Sequence, residues 1–154
     1  RFDGKFIRWW ENGQKHQERN YINGKLDGKW TEWWDDGRVF FEKNYKDGKL
    51  VSETNYTYYD NGQIKSEENY KDGEFDGKQT NWHENGQIAL EANFKDGKFD
   101  GKWTEWYENG QKMSEENFNK DGEFDGKQTN WHENGQIESE STWQNGKCIS
   151  GDCD

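Results

Sequence analysis

Residues 28–48 read GKWTEWWDDGRVFFEKNYKDG, and this stretch decides the fold. Gly28–Trp34 is dense in Trp and Thr, which suit a pleated, half-buried strand. Asp35-Asp36-Gly37-Arg38 interrupts it as a turn, and a second strand-like run passes through Phe40, Phe41, Glu42 and Asn44 to Tyr45. Lys46-Asp47-Gly48 then turns the chain again. Elsewhere the first turn is written Glu-Asn-Gly-Gln or Asp-Asn-Gly-Gln, as at Glu11–Gln14. Asn-Gly between two such runs signals a hairpin, because a two-residue type I′ loop needs positive φ twice. Glycine recurs too often for a helical period to survive.

The same unit fills the chain. Gly13, Gly37, Gly62, Gly86, Gly110 and Gly135 stand 24 or 25 residues apart, and Gly24, Gly48, Gly73, Gly97, Gly122 and Gly146 follow the same period. A third series, Gly4, Gly28, Gly77, Gly101 and Gly126, skips one unit, where Ser52 stands. Residues 71–88 and 120–137 are identical. The expected architecture is all-β: an elongated single-sheet antiparallel meander of six hairpin units. They span roughly 1–24, 25–48, 49–73, 74–97, 98–122 and 123–146, with 147–154 as a tail or cap, in one repeat domain covering 1–154. Two strands per unit give about twelve strands, and at ~4.8 Å per strand an array about 55–60 Å long. A unit this small buries its apolar face only by stacking on its neighbours. Unit three carries an extra residue near Thr54–Tyr58 and unit five another at Asn119-Lys120, which read as bulges or longer turns.

Composition agrees with a thin sheet. Only 27% of residues are hydrophobic and 34% are charged, a disorder-like balance, yet the 154 residues include 10 Trp, 7 Tyr and 9 Phe. The net charge of −11 opposes nucleic acid and anionic membrane surfaces. No stretch approaches the ~18 apolar residues of a membrane-spanning helix, and no signal-peptide pattern is present. The sequence begins at Arg1, so the compartment stays open. Cys148 and Cys153 lie close enough to form a local disulfide at the end of the chain or to remain free thiols.

Comparing the copies position by position separates constant rows from variable ones. Four residues before the turn glycine stand Trp9, Trp33, Tyr58, Trp82, Trp106 and Trp131, read as a stacking ladder. Five after it stand Glu18, Glu42, Glu67, Glu91, Glu115 and Glu140, read as acceptors for backbone amides of a neighbouring glycine turn. Seven after it Asn recurs, and eight after it Tyr21, Tyr45, Tyr70, Phe94, Phe118 and Trp143. Two rows vary: Trp10, Trp34, Tyr59, His83, Tyr107 and His132 three before the glycine, and Gln17, Phe41, Ser66, Leu90, Ser114 and Ser139 four after it. With a two-residue loop the variable rows share one face and the Trp and Glu rows the other. The candidate binding residues are therefore Trp10, Trp34, Tyr59, His83, Tyr107, His132, Phe41 and Leu90, aromatic types that dominate interface hot spots. The alternative is that they only cover the second side of the sheet.

No catalytic constellation emerges. Six equivalent carboxylates lack the unlike pair that glycoside chemistry needs. The histidines His16, His83 and His132 form no ligand cluster. Asp72-x-Glu74-x-Asp76-Gly77 and Asp121-x-Glu123-x-Asp125-Gly126 approach a calcium loop, but the twelfth position is His83 or His132, not Glu. The reading is a non-enzyme with no cofactor and no metal.

The aromatic strand, the Glu-Asn-Gly-Gln turn, the Glu-x-Asn-Tyr/Phe segment and the Asp-Gly-Lys-Phe-Asp-Gly linker resemble the MORN repeat. The likeness is nearest to its bacterial variant, found in a family known as antitoxins of toxin–antitoxin systems. The resemblance runs from about Phe2 to Gly146 and implies a twisted antiparallel sheet that binds other molecules. MORN repeats elsewhere have been linked to phospholipids, which the acidity here opposes. The expected function is a scaffold that binds a protein partner, a basic one such as a toxin by charge, along its aromatic face. A glycan-binding surface adhesin and a purely structural spacer are the alternatives. Open sheet edges also favour edge-to-edge self-association.

Overall fold

A computed structural model describes residues 2–153; Arg1 and Asp154, the ends of the expected domain, lie outside them. The described residues form fifteen strands and no helix: β1 (Gly4–Trp9), β2 (Lys15–Ile22), β3 (Lys25–Leu26), β4 (Gly28–Trp33), β5 (Val39–Lys46), β6 (Lys49–Tyr58), β7 (Ile64–Lys71), β8 (Glu74–Phe75), β9 (Gly77–Trp82), β10 (Ile88–Lys95), β11 (Lys98–Trp106), β12 (Lys112–Phe118), β13 (Gly126–Trp131), β14 (Ile137–Gln144) and β15 (Lys147–Gly151). They form one open antiparallel sheet in chain order, with the two-residue β3 and β8 pairing beside β2 and β7. The excess over twelve has three sources. In units two and four the Asp-Gly pair kinks the outgoing strand and detaches its first two residues as β3 and β8. The tail then adds β15 against β14, where Cys148 and Cys153 are joined as a disulfide.

The two kinds of turn reverse the expectation. The type I′ loops are the Asx-Gly links between units: Asn23, Asp47, Asp72, Asp96 and Asn145 all have positive φ, as do the glycines after them. At the Asn-Gly-Gln turns the asparagine stays out of that region. Trp10 N–H donates to the Gln14 carbonyl and Gly13 N–H to the Trp10 carbonyl, so a longer loop closes on a single left-handed glycine at φ 83°. The residue three after the glycine is then left unpaired as a bulge; Trp9 faces Lys15, and His16 is skipped before Arg8 faces Gln17. Below the bulge the pairing is that of a two-residue loop, so the expected faces survive the wrong turn type. The inserted Asn119-Lys120 turns the unit-five link into the same longer loop, in which Gly122 N–H donates to the Asn119 carbonyl.

One face repeats Lys, Thr and Trp on the outgoing strand and Glu and Asn on the return strand, as Lys29, Thr31, Trp33, Glu42 and Asn44. We call it the constant face. The other, the variable face, carries Trp30, Glu32, Phe41, Lys43 and Tyr45 in unit two. The Tyr45 position is aromatic in every unit and the other four change, with units four and six sharing Gln and Asn, and units two and five Trp and Glu, on the outgoing strand. The buried residues lie along the midline and are small or polar, among them Thr31, Thr80, Thr104 and Thr129 on the constant face and Gln17, Ser66, Gln79 and Ser114 on the variable one. Ala92, 1% exposed, is the buried hydrophobic residue among those described. A sheet one layer thick keeps large rings half-covered instead of enclosing them.

Candidate functional site

The constant face holds its charges within the chain, though not in the way the rows suggested. Five of the six Glu residues pair with lysine rather than with turn amides. Lys29 Nζ reaches Glu42 at 2.6 Å and Lys102 reaches Glu115 at 3.1 Å, while Lys5 and Lys15 lie 2.6 and 2.8 Å from Glu18. Lys78 with Glu91 and Lys127 with Glu140 repeat the arrangement. The lysine directly follows the Asp-Gly kink, opposite the recurring Asn of its own unit, while the Asn of the preceding unit donates to its carbonyl; Lys29 faces Asn44 and accepts from Asn20 at 2.7 Å. Hydrogen bonds from Lys15 and Lys5 hold the Glu18 carboxyl below its ordinary range, and those from Lys112 and Lys102 do the same for Glu115.

The Trp row is not a ring ladder. Among the described residues no ring pair joins Trp9, Trp33, Tyr58, Trp82, Trp106 or Trp131. Two strands, about 10 Å, separate successive members, and at three of the five steps a cation from the segment between them lies beside the ring. Lys15 sits 5.6 Å from the Trp33 ring, Arg38 4.9 Å from Tyr58 and Lys112 5.6 Å from Trp131. The ladder is on the variable face instead. The aromatic eight after the glycine alternates with the Phe of the next link, giving Tyr70, Phe75, Phe94, Phe99, Phe118, Phe124 and Trp143 with centroids 4.8 to 5.2 Å apart.

The candidate binding rows divide. Trp10 Nε1, Tyr59 Oη, His83 Nε2 and Tyr107 Oη each donate to the carbonyl of a constant-row Trp one unit on, at 2.7 to 3.1 Å. These four side chains tie units together. Among the described residues Trp34 makes no such bond, and it is 44% exposed; His132 opens the turn between β13 and β14 of unit six. Phe41 and Leu90 face the variable side near the midline, opposite Glu32 and Asn81.

The sequence reading passed over the bulged row three after the glycine, which holds His16, Phe40, Lys65, Ala89, Met113 and Glu138, six residue types in six units. Its side chains cover the row before the turn. His16 stacks on Trp10 at 3.9 Å, Phe40 on Trp34 at 4.5 Å, and Lys65 Nζ lies 5.6 Å from the Tyr59 ring. The signal was present, since the identity of residues 71–88 with 120–137 ends where this row begins.

In unit two the rings run along the strands rather than across them. Trp34, Phe40, Phe41, Trp30 and Tyr45 follow one another at 4.5 to 6.0 Å. A shallow cleft of about 390 Å³ opens at the end of this stripe, lined by Trp34, Arg38, Phe40, Tyr59 and Asp60 among others. Among the described residues no group of three or more His, Cys, Asp or Glu is placed to hold a metal. The carboxylates of the calcium-like segments serve turns: Asp76 accepts from Lys95 Nζ at 2.7 Å and from the Asp96 amide.

Fold and faces together define a repeat scaffold, a stack of interchangeable hairpins with one invariant and one individualised side. The family model described as MORN repeat variant matches residues 2–23, 26–47, 54–72, 75–96, 99–120 and 124–145. The chain belongs to that family, whose repeat proteins generally mediate protein or membrane interactions. No curated protein matches it.

Proposed function

We propose that this chain is a non-enzymatic scaffold that binds a protein partner on its variable face. The observation behind the reading is where the copies differ. Lys, Thr, Trp, Glu and Asn recur on one face of otherwise near-identical units, whereas the return strand and its bulge change from unit to unit on the other. Burial alone asks for no such diversity, but recognition does. A basic partner suits the acidic units three to six, since the charge of −11 speeds encounter with it. An antitoxin-like role is one case of this.

The test compares immobilised wild-type chain with Trp34→Ala/Phe40→Ala and with Lys102→Ala on the constant face. Proteins captured by the wild type and by Lys102→Ala, but not by the double variant, support the reading. Identical capture by all three, with unchanged circular dichroism, refutes it. The spacer reading draws on the four tied side chains Trp10, Tyr59, His83 and Tyr107. It expects Tyr107→Ala to lower stability while no binding partner is captured by any variant.

A further inference from the structure

The charges on the two faces are handled differently. On the constant face five of the six Glu residues have a lysine within the chain. On the variable face Arg8 and Arg19 at one end make no intrachain ion pair among the described residues, and neither do Glu68, Glu105 and Glu116 further along. Arg8 and Arg19 stand opposite Gln17 and Phe6, on β1 and β2. Glu105 and Glu116 stand on β11 and β12, opposite Ser114 and Trp103. Burial, and then Glu105, raise the Glu116 pKa, as befits two carboxylates with no cation beside them. The chain as a whole follows the same division: residues 1–48 hold ten basic and nine acidic side chains, and residues 49–154 hold eleven and twenty-three.

Between these ends half-exposed rings alternate with polar side chains, Glu32 and Lys43 in unit two and Glu53, Ser66 and Glu68 on β6 and β7. The stripe Trp34–Phe40–Phe41–Trp30–Tyr45 occupies unit two, and Leu90, Phe94 and Trp103 line a second shallow pocket in units four and five. Cations without a carboxylate at one end, Arg19 lying 4.0 Å from the Trp30 ring, and the carboxylates Glu105 and Glu116 without a cation at the other, make the two ends complementary when one copy is turned end for end.

We propose that the variable face docks a second copy of this chain, antiparallel across a two-fold axis near β6 and β7, with Arg8 and Arg19 of each protomer over Glu105 and Glu116 of its partner. The arrangement rests on the reading of that face as a protein-binding surface, and places there a second copy, equally acidic overall, instead of a basic partner. It is isologous, so each contact is made twice and the assembly closes as a dimer. Two twisted sheets pack face to face ~10 Å apart with strands within about 30° of each other, which sets the unit-two stripe against units four and five. Both pairs of charges lose water in that interface, where an ion pair interacts more strongly than on an open surface.

Sedimentation velocity on the full chain, up to about 100 µM, reads the state directly. A dimer of twice 18.4 kDa is expected. Arg8→Glu/Arg19→Glu and Glu105→Arg/Glu116→Arg each weaken it at least tenfold, and an equimolar mixture of the two restores a heterodimer. A monomeric wild type overturns the proposal but leaves the capture experiment above to stand or fall alone. Dimers persisting in both charge variants place association at another surface, such as a sheet edge, and also overturn it. So does a mixture that stays monomeric while both variants are folded by circular dichroism.

Discussion

Units four to six and the junction between units two and three are built from the same repeat, yet only the former keeps the side-chain bonds from one turn to the next. In the regular stretch the turn asparagine accepts the amide two residues on and donates to the next turn, as Asn85 does to Glu108 at 2.8 Å and Asn109 to Glu133 at 2.9 Å. At the odd junction Asp36 stands in that place; it accepts from the Arg38 amide but has no N–H to send onward. Among the described residues Trp34 donates to nothing beyond its unit, and Val51 replaces the kink Asp that in four other units receives the next turn's amide, as Asp27 does from Asp47 at 3.2 Å. The strand also slides. Glu42 faces Thr54 while Glu67 faces Tyr56, whereas in unit two Thr31 faces both its neighbours' Glu. Regularity in this array is carried by a few side-chain bonds per unit, and where they lapse together apolar side chains come to the surface. Trp34, Phe40, Leu50 and Val51 are all exposed there.

The largest contrast lies in the aromatic ladder. Phe99 touches Phe94, Trp103 and Phe118, with centroids 4.8 to 5.1 Å away. Leu50 occupies the same place in unit three and is 43% exposed. Phe99→Ala is expected to lower stability by about 2–3 kcal/mol and Leu50→Ala by less than about 1 kcal/mol, read from urea denaturation. Equal losses would mean that the odd junction is packed like the others.

The turn spine gives the next effect. Asn85→Asp keeps the acceptor for Gln87 and removes only the donor to Glu108, an expected loss of about 1 kcal/mol. The reverse exchange, Asp36→Asn with Arg38→Gln, installs the missing rung and is expected to add about 0.5–1 kcal/mol, less what the exposed Asp36–Arg38 pair contributed. Destabilisation by that double change would show that the junction's geometry, not its side chains, forbids the bond.

How much of this could be read in the sequence depends on the range of the interaction. Glycine spacing and strand alternation are local, so repeat, hairpin and faces were legible, and Gly13 and Gly37 marked their turns by residue type alone. Ring and ion partners depend on which strand lies between two copies of a row. Trp9 and Trp33 looked like neighbours, but β2 runs between them and places Lys15 beside the Trp33 ring. Glu42 looked free to accept from a turn, but Lys29, opposite Asn44, reaches it first. The bulge at His16 and Phe40 was hidden because a two-residue loop and a longer loop with one skipped residue give the same register beyond it.

The smallest effect tests the ion row itself. Glu67 is the member with no lysine, because Thr54 stands where Lys29 stands in unit two; Thr54 Oγ1 instead donates to Asn69 Oδ1 at 2.7 Å. Thr54→Lys is expected to add about 0.2–0.5 kcal/mol at pH 7, the range of part-exposed pairs, after losing that hydroxyl bond. The pH dependence fixes the cause. A carboxylate held low by a lysine, as Glu18 and Glu115 are, gives stability that is fully present above its unfolded value near pH ~4.3 and is lost as pH falls through the lower folded value. Lysine at position 54 should therefore stabilise at pH 7, stabilise progressively less as the solution is acidified, and lose most of its gain in 1 M salt. A gain that survives acid and salt would come from the lysine stem packing over Tyr56, and would remove the ion row from the list of interactions that order this face.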